Sequence, residues 1–225
     1  MFDFFKKYYK FFGFFFLVCC VMLYFIYNAI NTTPKLPVYQ PVNMPSSLFD
    51  DEKIFVKKYH RIADFALVNQ NGDTITQEVY QDKIYVADFF FTTCPTICPV
   101  MTDHMRILQQ HFLEDQQVLL LSHSVTPEID SVPVLKAYAI EKGVKDHKWN
   151  LVTGDRKQIY DLARKSYGAA TLPAYDADPY EMIHTENFIL VDPKGQIRGT
   201  YDGTNAEDIQ QIIEDIAVLK KEFKA

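Results

Sequence analysis

Ile84 to Phe91 is a nearly continuous apolar run of strand length, and it empties into Thr92-Thr93-Cys94-Pro95-Thr96-Ile97-Cys98-Pro99. A run that is apolar at both parities belongs to a strand buried on both faces, which points to a parallel α/β sheet. Cys94 and Cys98 are the only cysteines outside a hydrophobic N-terminal run. Two thiols four apart, each followed by proline, serve chemistry better than packing. On a helix that spacing puts both sulfurs on one face. It also lies within the reach of a disulfide. At a helix N-terminus, free amides and the macrodipole lower thiol pKa values. Such a pair can cycle between dithiol and disulfide, or hold a soft metal such as Cu(I).

Phe11 to Pro34 carries no charged residue and is rich in Phe, Leu, Val, Tyr and Ile. A bilayer-spanning helix needs about 20 such residues. The apolar part of a cleaved signal peptide is shorter, about 7–15 residues, and ends in a small-residue cleavage site that is not seen here. The expected organisation is therefore a cytoplasmic N-terminus over 1–10, an uncleaved anchor over 11–30, a Pro-, Asn- and Thr-rich linker over 31–50 and a domain over 51–225. Lys6, Lys7 and Lys10 precede the anchor. By the positive-inside rule they keep the N-terminus in the cytoplasm. The expected location is a bacterial inner membrane, single-pass, with the C-terminal domain facing the periplasm. Cys19 and Cys20, inside the run, read as plain apolar residues. Residues 1–27 hold three Lys and one Asp, so the remainder has 20 basic and 28 acidic residues, a net of −8. That balance argues against nucleic acid as a partner.

Within the domain, Ile62–Val68 and Thr74–Thr76 flank Asn71-Gly72-Asp73 and predict a hairpin. Strands are expected over 84–91, 118–125 and 149–152, and helices over 99–112, 133–142 and 157–167, with Gly143 as a stop signal. A second hairpin, 188–191 with 196–201, and a closing helix over 206–223 follow. This order predicts an α/β, thioredoxin-like fold: a central mixed sheet of four to five strands, helices on both faces, an N-terminal hairpin and one preceding transmembrane helix. The cysteines then sit at the carboxyl end of the first central strand, where reactive groups of open α/β sheets lie.

Choosing between redox and metal chemistry needs a third ligand. His147 lies in a charged turn, His111 near a helix end and His60 ahead of the core. His104 is six residues past Cys98 and points away from it on a helix. His123 ends the second central strand on the edge that carries the cysteines, a place from which it could line the site. His184 stands where a long loop with Pro173 and Pro179 hands over to Phe188–Val191. In a thioredoxin-like fold that loop end adjoins the cysteine loop.

Phe91-Thr92-Thr93-Cys94-Pro95-Thr96-Ile97-Cys98-Pro99, Ser124 to Leu135, Leu151-Val152-Thr153-Gly154-Asp155, and His184 four residues before Phe188-Ile189-Leu190-Val191-Asp192-Pro193-Lys194-Gly195 resemble the Sco/SenC family of thioredoxin-like copper-binding proteins. The resemblance covers roughly 61–220. It implies copper, Cu(I) or Cu(II), held by Cys94, Cys98 and His184, and a metallochaperone that assists assembly of the binuclear copper centre of a haem–copper respiratory oxidase. The partners it implies are the copper-centre subunit, the membrane, and a copper donor or thiol reductant. Thr96 and Thr126 stand where the family often has acidic residues. The alternative is a thiol–disulfide oxidoreductase using Cys94 and Cys98 as a redox-active disulfide. That activity does not require His184.

Overall fold

A computed structural model describes residues 8–30, 35–39, 60–169 and 185–224, and the chain divides into two units, Met1–Lys35 and Leu36–Ala225. The first unit contains helix α1, Tyr9–Ile30. Its Tyr9–Tyr27 segment, 19 residues of mean hydropathy 2.1, is long and apolar enough to cross a membrane.

The second unit is built on β1 (Ala66–Asn69), β2 (Thr74–Thr76), β3 (Ile84–Phe90), α2 (Ile97–His111), β4 (Val118–Ser124), α3 (Val132–Lys142), β5 (Trp149–Thr153), α4 (Arg156–Asp161), β6 (Asn187–Val191), β7 (Ile197–Asp202) and α5 (Ala206–Lys224). They form one seven-stranded sheet in the order β2-β1-β5-β4-β3-β6-β7. β3, β4 and β5 are parallel, and both hairpins join the sheet antiparallel, β1 on β5 and β6 on β3. The sheet is thus wider than the four to five strands expected, because β1 pairs with β5 instead of standing apart. The mixed α/β, thioredoxin-like architecture is as expected.

Strand parity sorts the core into two layers. Tyr85, Ala87 and Phe89 of β3, with Leu121 and Val152, meet Ile159, Tyr160, Leu162 and Ala163. Ile84, Val86 and Phe90, with Leu120, Trp149 and Leu151, meet Met101, Met105 and Leu108 of α2, Leu135 and Ala139 of α3, and Ile209, Ile212 and Ile216 of α5. Met101, Met105 and Leu108 are fully buried, each stabilising α2 on the sheet by about 1.5–3 kcal/mol. The cysteines belong to this second layer.

Local signals account for the element ends. Gly143 takes φ +71° and closes α3 with Val144 N–H donating to the Ala139 carbonyl. Asp155 caps α4, its carboxylate accepting from the Gln158 amide at 2.7 Å. The helix expected over 157–167 is shorter, and continues as a π turn over Leu162–Ser166. Most of the expected linker lies outside the described residues. Of its described part, Leu36–Tyr39 belongs to the second unit and lies along β7. Tyr39 N–H donates to the Ile197 carbonyl at 2.9 Å. Arg198 donates to the carbonyls of Leu36 (2.7 Å) and Pro37 (3.1 Å).

Candidate metal centre

Cys94 lies in the loop after β3, and Cys98 is the second residue of α2. The pair is therefore not a helical i, i+4 pair, because Pro95 disfavours the α conformation at Cys94. A turn brings Cys94 round instead, with its N–H donating to the Phe91 carbonyl at 3.3 Å. The N-cap position of α2 is Thr96, whose side chain makes no capping bond. The Cys94 sulfur takes up the free first-turn donors in its place. It accepts from the Cys98 and Thr96 amides and lies 3.8 Å from the Thr96 hydroxyl.

The two thiols are free and buried, and their environments push them apart. Burial raises the Cys94 thiol, but the Cys98 and Thr96 amides, the Cys98 thiol and the Thr96 hydroxyl outweigh it. The result is a fall from 9.0 to about 7. Burial pushes Cys98 up to about 12, and the neighbouring Cys94 adds to the rise against a hydrogen bond from the Phe91 backbone. Cys94 is therefore the thiolate at neutral pH. Its alkylation by iodoacetamide should rise roughly tenfold from pH 6 to pH 8 and then level off, with Cys98 far slower. Peptide mass mapping over that range checks this; equal labelling of both thiols would contradict it.

Asp88, on β3, faces the cysteine side of the sheet and is fully buried. Burial raises its carboxyl from 3.8 to about 7, against a hydrogen bond from the Ser122 hydroxyl. Its Oδ1 has no hydrogen-bond partner among the described residues. An acid raised on folding favours the folded state most at low pH, and that advantage fades as pH climbs from about 4 to 7. Asp88→Asn should therefore stabilise the fold above pH 7 by about 2 kcal/mol, with the gain vanishing below about pH 4. Thermal melts across pH measure it.

The histidines sort differently from one another. His123 is fully buried, but on the opposite face of the sheet. It stacks on Phe89 at 4.8 Å, and Phe65 and Tyr167 meet it edge-on. It does not line the cysteine site. His104 shares a hydrogen bond of 2.7 Å with the Gly203 carbonyl, and His60 one of 2.6 Å with the Ser166 carbonyl. His111 packs edge-on against Phe112, and His147 is exposed. His184 lies outside the described residues. Among the described residues no group of three His, Cys, Asp or Glu side chains converges. What the described site offers a metal is two adjacent sulfurs, one of them a ready thiolate, which is a soft donor set suited to Cu(I).

One participant escaped sequence reasoning. Asp130, in the loop between β4 and α3, is fully buried and accepts from Thr92, two residues ahead of Cys94. The signal was present as hydroxyl residues, Ser124 and Thr126, shortly before an acid.

Comparison with known proteins shows the family and the fold. Residues 56–221 match the SCO1/SenC family. The SCO1 protein homolog of Bacillus subtilis is 33% identical over 159 residues, covering 70% of this chain and 81% of that protein. The structure of BsSco, described as a member of the Sco family of cytochrome c oxidase assembly proteins with a disulfide switch, is 29% identical with a TM-score of 0.60, over 72% of this chain and 94% of that one. The copper-bound ScoI of Bradyrhizobium japonicum is 25% identical with a TM-score of 0.56, over 70% of this chain and 98% of that one.

Proposed function

Because this chain belongs to the SCO1/SenC family, we propose that it is a membrane-anchored copper metallochaperone that assists assembly of the binuclear copper centre of a haem–copper respiratory oxidase. Cys94, Cys98 and His184 hold the copper. The observation that carries this reading is the adjacent thiol pair, with Cys94 brought to about 7 by the amides at the start of α2. Thiolate is the form that binds metal, so Cys94 is ready for Cu(I) near neutral pH, while Cys98 gives up its proton as the metal binds. The copper-bound Bradyrhizobium relative and the oxidase-assembly description of BsSco support the cargo and the recipient. Helix α1 anchors the chain in a bacterial inner membrane. Lys6, Lys7 and Lys10 hold its N-terminus in the cytoplasm and leave the domain in the periplasm. A copper donor and the oxidase copper subunit are its partners there.

The asymmetry of the pair favours a second reading, thiol–disulfide exchange. A low-pKa Cys94 attacks and a buried Cys98 resolves, reducing cysteines of the oxidase subunit while a separate thiol reductant regenerates the pair. His184→Ala separates the two. Imidazole stabilises bound copper but is not needed for exchange between sulfurs. A strain carrying only the His184→Ala chain, at normal protein level and low external copper, should lose most oxidase activity in its membranes. Parental activity would favour the exchange reading.

A further inference from the structure

Asp130 is 0% exposed, and no Lys or Arg among the described residues forms an ion pair with it. Four donors surround its carboxylate instead. The Thr92 amide and the Thr126 hydroxyl reach Oδ2 at 3.2 and 3.1 Å, and the Ser124 hydroxyl reaches the same oxygen at 2.5 Å. The Thr92 hydroxyl reaches Oδ1 at 2.5 Å. The Asp130 N–H returns to the Thr126 carbonyl at 2.8 Å, which folds the loop tightly round its own carboxylate. Burying a carboxylate is costly unless charge-assisted hydrogen bonds fill its lone pairs, as they do here. Two of the four donors come from one residue of another loop, the one that carries Cys94.

We propose that Asp130 is a positioning residue which, through Thr92, holds the Cys94 loop so that the Cys94 sulfur meets Cys98 at the start of α2. The loop is otherwise anchored where Cys94 N–H meets the Phe91 carbonyl, at 3.3 Å, and where Val125 N–H meets the Phe90 carbonyl, at 2.9 Å. The first closes the turn whose central residues are Thr92 and Thr93 and the second ties Phe90 to the residue after β4, but neither bonds Thr92 itself to the neighbouring loop. Alignment of the thiols sets their effective concentration toward each other. Releasing Thr92 lowers it and disfavours the Cys94–Cys98 disulfide. This deepens the reading of the same site, yet it concerns the thiols alone, so its test reads no metal.

The test is the equilibrium of the full chain, in detergent micelles, with glutathione. Oxidised glutathione accepts two electrons and leaves as two glutathione thiols, which take the two cysteine protons, as the Cys94–Cys98 bond forms. Alkylation and mass measurement give the oxidised fraction. Thr92→Val and Asp130→Asn should each lower the equilibrium constant about tenfold, and the double variant also about tenfold, because both break one link. Thr92→Ser keeps the hydroxyl and should match the parent. A Thr92→Val equilibrium within about twofold of the parent, or a double variant lowered about a hundredfold, would overturn the proposal. So would a variant that loses thermal stability with an unchanged equilibrium. Should Asp130→Asn not fold, the Thr92→Val and Thr92→Ser pair decides.

Discussion

Cys98→Ser is expected to lower Cu(I) affinity by about a thousandfold, and Cys94→Ser by at least as much. Structural zinc sites, which also use thiolate ligands, bind with apparent free energies of about 10–16 kcal/mol spread over four ligands, and by that scale one lost thiolate costs about 4 kcal/mol. A serine hydroxyl is a hard, protonated oxygen at neutral pH and a poor substitute for Cu(I). The two sites differ in how they reach the same end. Cys94 supplies thiolate directly, being brought to about 7, whereas Cys98, near 12 without metal, must lose its proton on binding. Copper uptake should therefore release close to one proton through Cys98 at pH 8, and closer to two at pH 6, where Cys94 is mostly protonated. Competition with a chelator of known Cu(I) affinity measures the affinities, and proton release into weak buffer measures the rest. Parental affinity in either serine variant would refute the thiolate site.

Arg198→Ala is expected to destabilise the second unit by about 3–5 kcal/mol, lowering its melting temperature by roughly 10 °C. The guanidinium is 2% exposed. It pairs with the fully buried Asp192 at 2.9 Å and with Glu222 at 2.6 Å. Its remaining donors hold the carbonyls of Leu36 and Pro37. Alanine strands a buried carboxylate and frees the Leu36–Tyr39 strap together. Asp192 loses its cation but keeps the Lys194 and Gln196 amides at 2.8 and 3.0 Å, so the β6–β7 turn persists while the strap detaches. A chain beginning at residue 48 would reproduce half of this loss, because it lacks the strap while keeping the ion pair. Melts of the parent, Arg198→Ala and the shortened chain should rank in that order of stability: parent, shortened chain, variant. Equal melting of the parent and Arg198→Ala would contradict the clip.

Much of this architecture could be read along the chain, and the exceptions share a cause. Ile84–Phe90 announced a central strand because a doubly buried strand leaves no parity for polar residues. Gly143 announced a helix end because only glycine takes its left-handed conformation without strain. The pairing of β1 with β5 could not be read, since β1 has only 4 residues and its partners Val152 and Thr153 lie far along the chain. The side of the sheet taken by His123 was also hidden. Strand parity groups it with Leu121 and Phe89, but which layer receives the cysteine helix is a tertiary choice. Cys94 and Cys98 were found from their spacing and their place after a strand, although the helical geometry first assigned to them yields to Pro95. Asp130 is hard to read because its partners come from two separate stretches of chain, and the local hydroxyls Ser124 and Thr126 alone do not tell it from a solvated loop acid without Thr92, which lies 38 residues away.

The most direct measurement is copper content and X-ray absorption of the reduced full chain, loaded with Cu(I) in detergent and washed with a moderate chelator. The account predicts one copper per chain with two sulfur ligands and one nitrogen, the nitrogen disappearing in His184→Ala. Copper lost to the wash, or a nitrogen ligand that persists in His184→Ala, would contradict it.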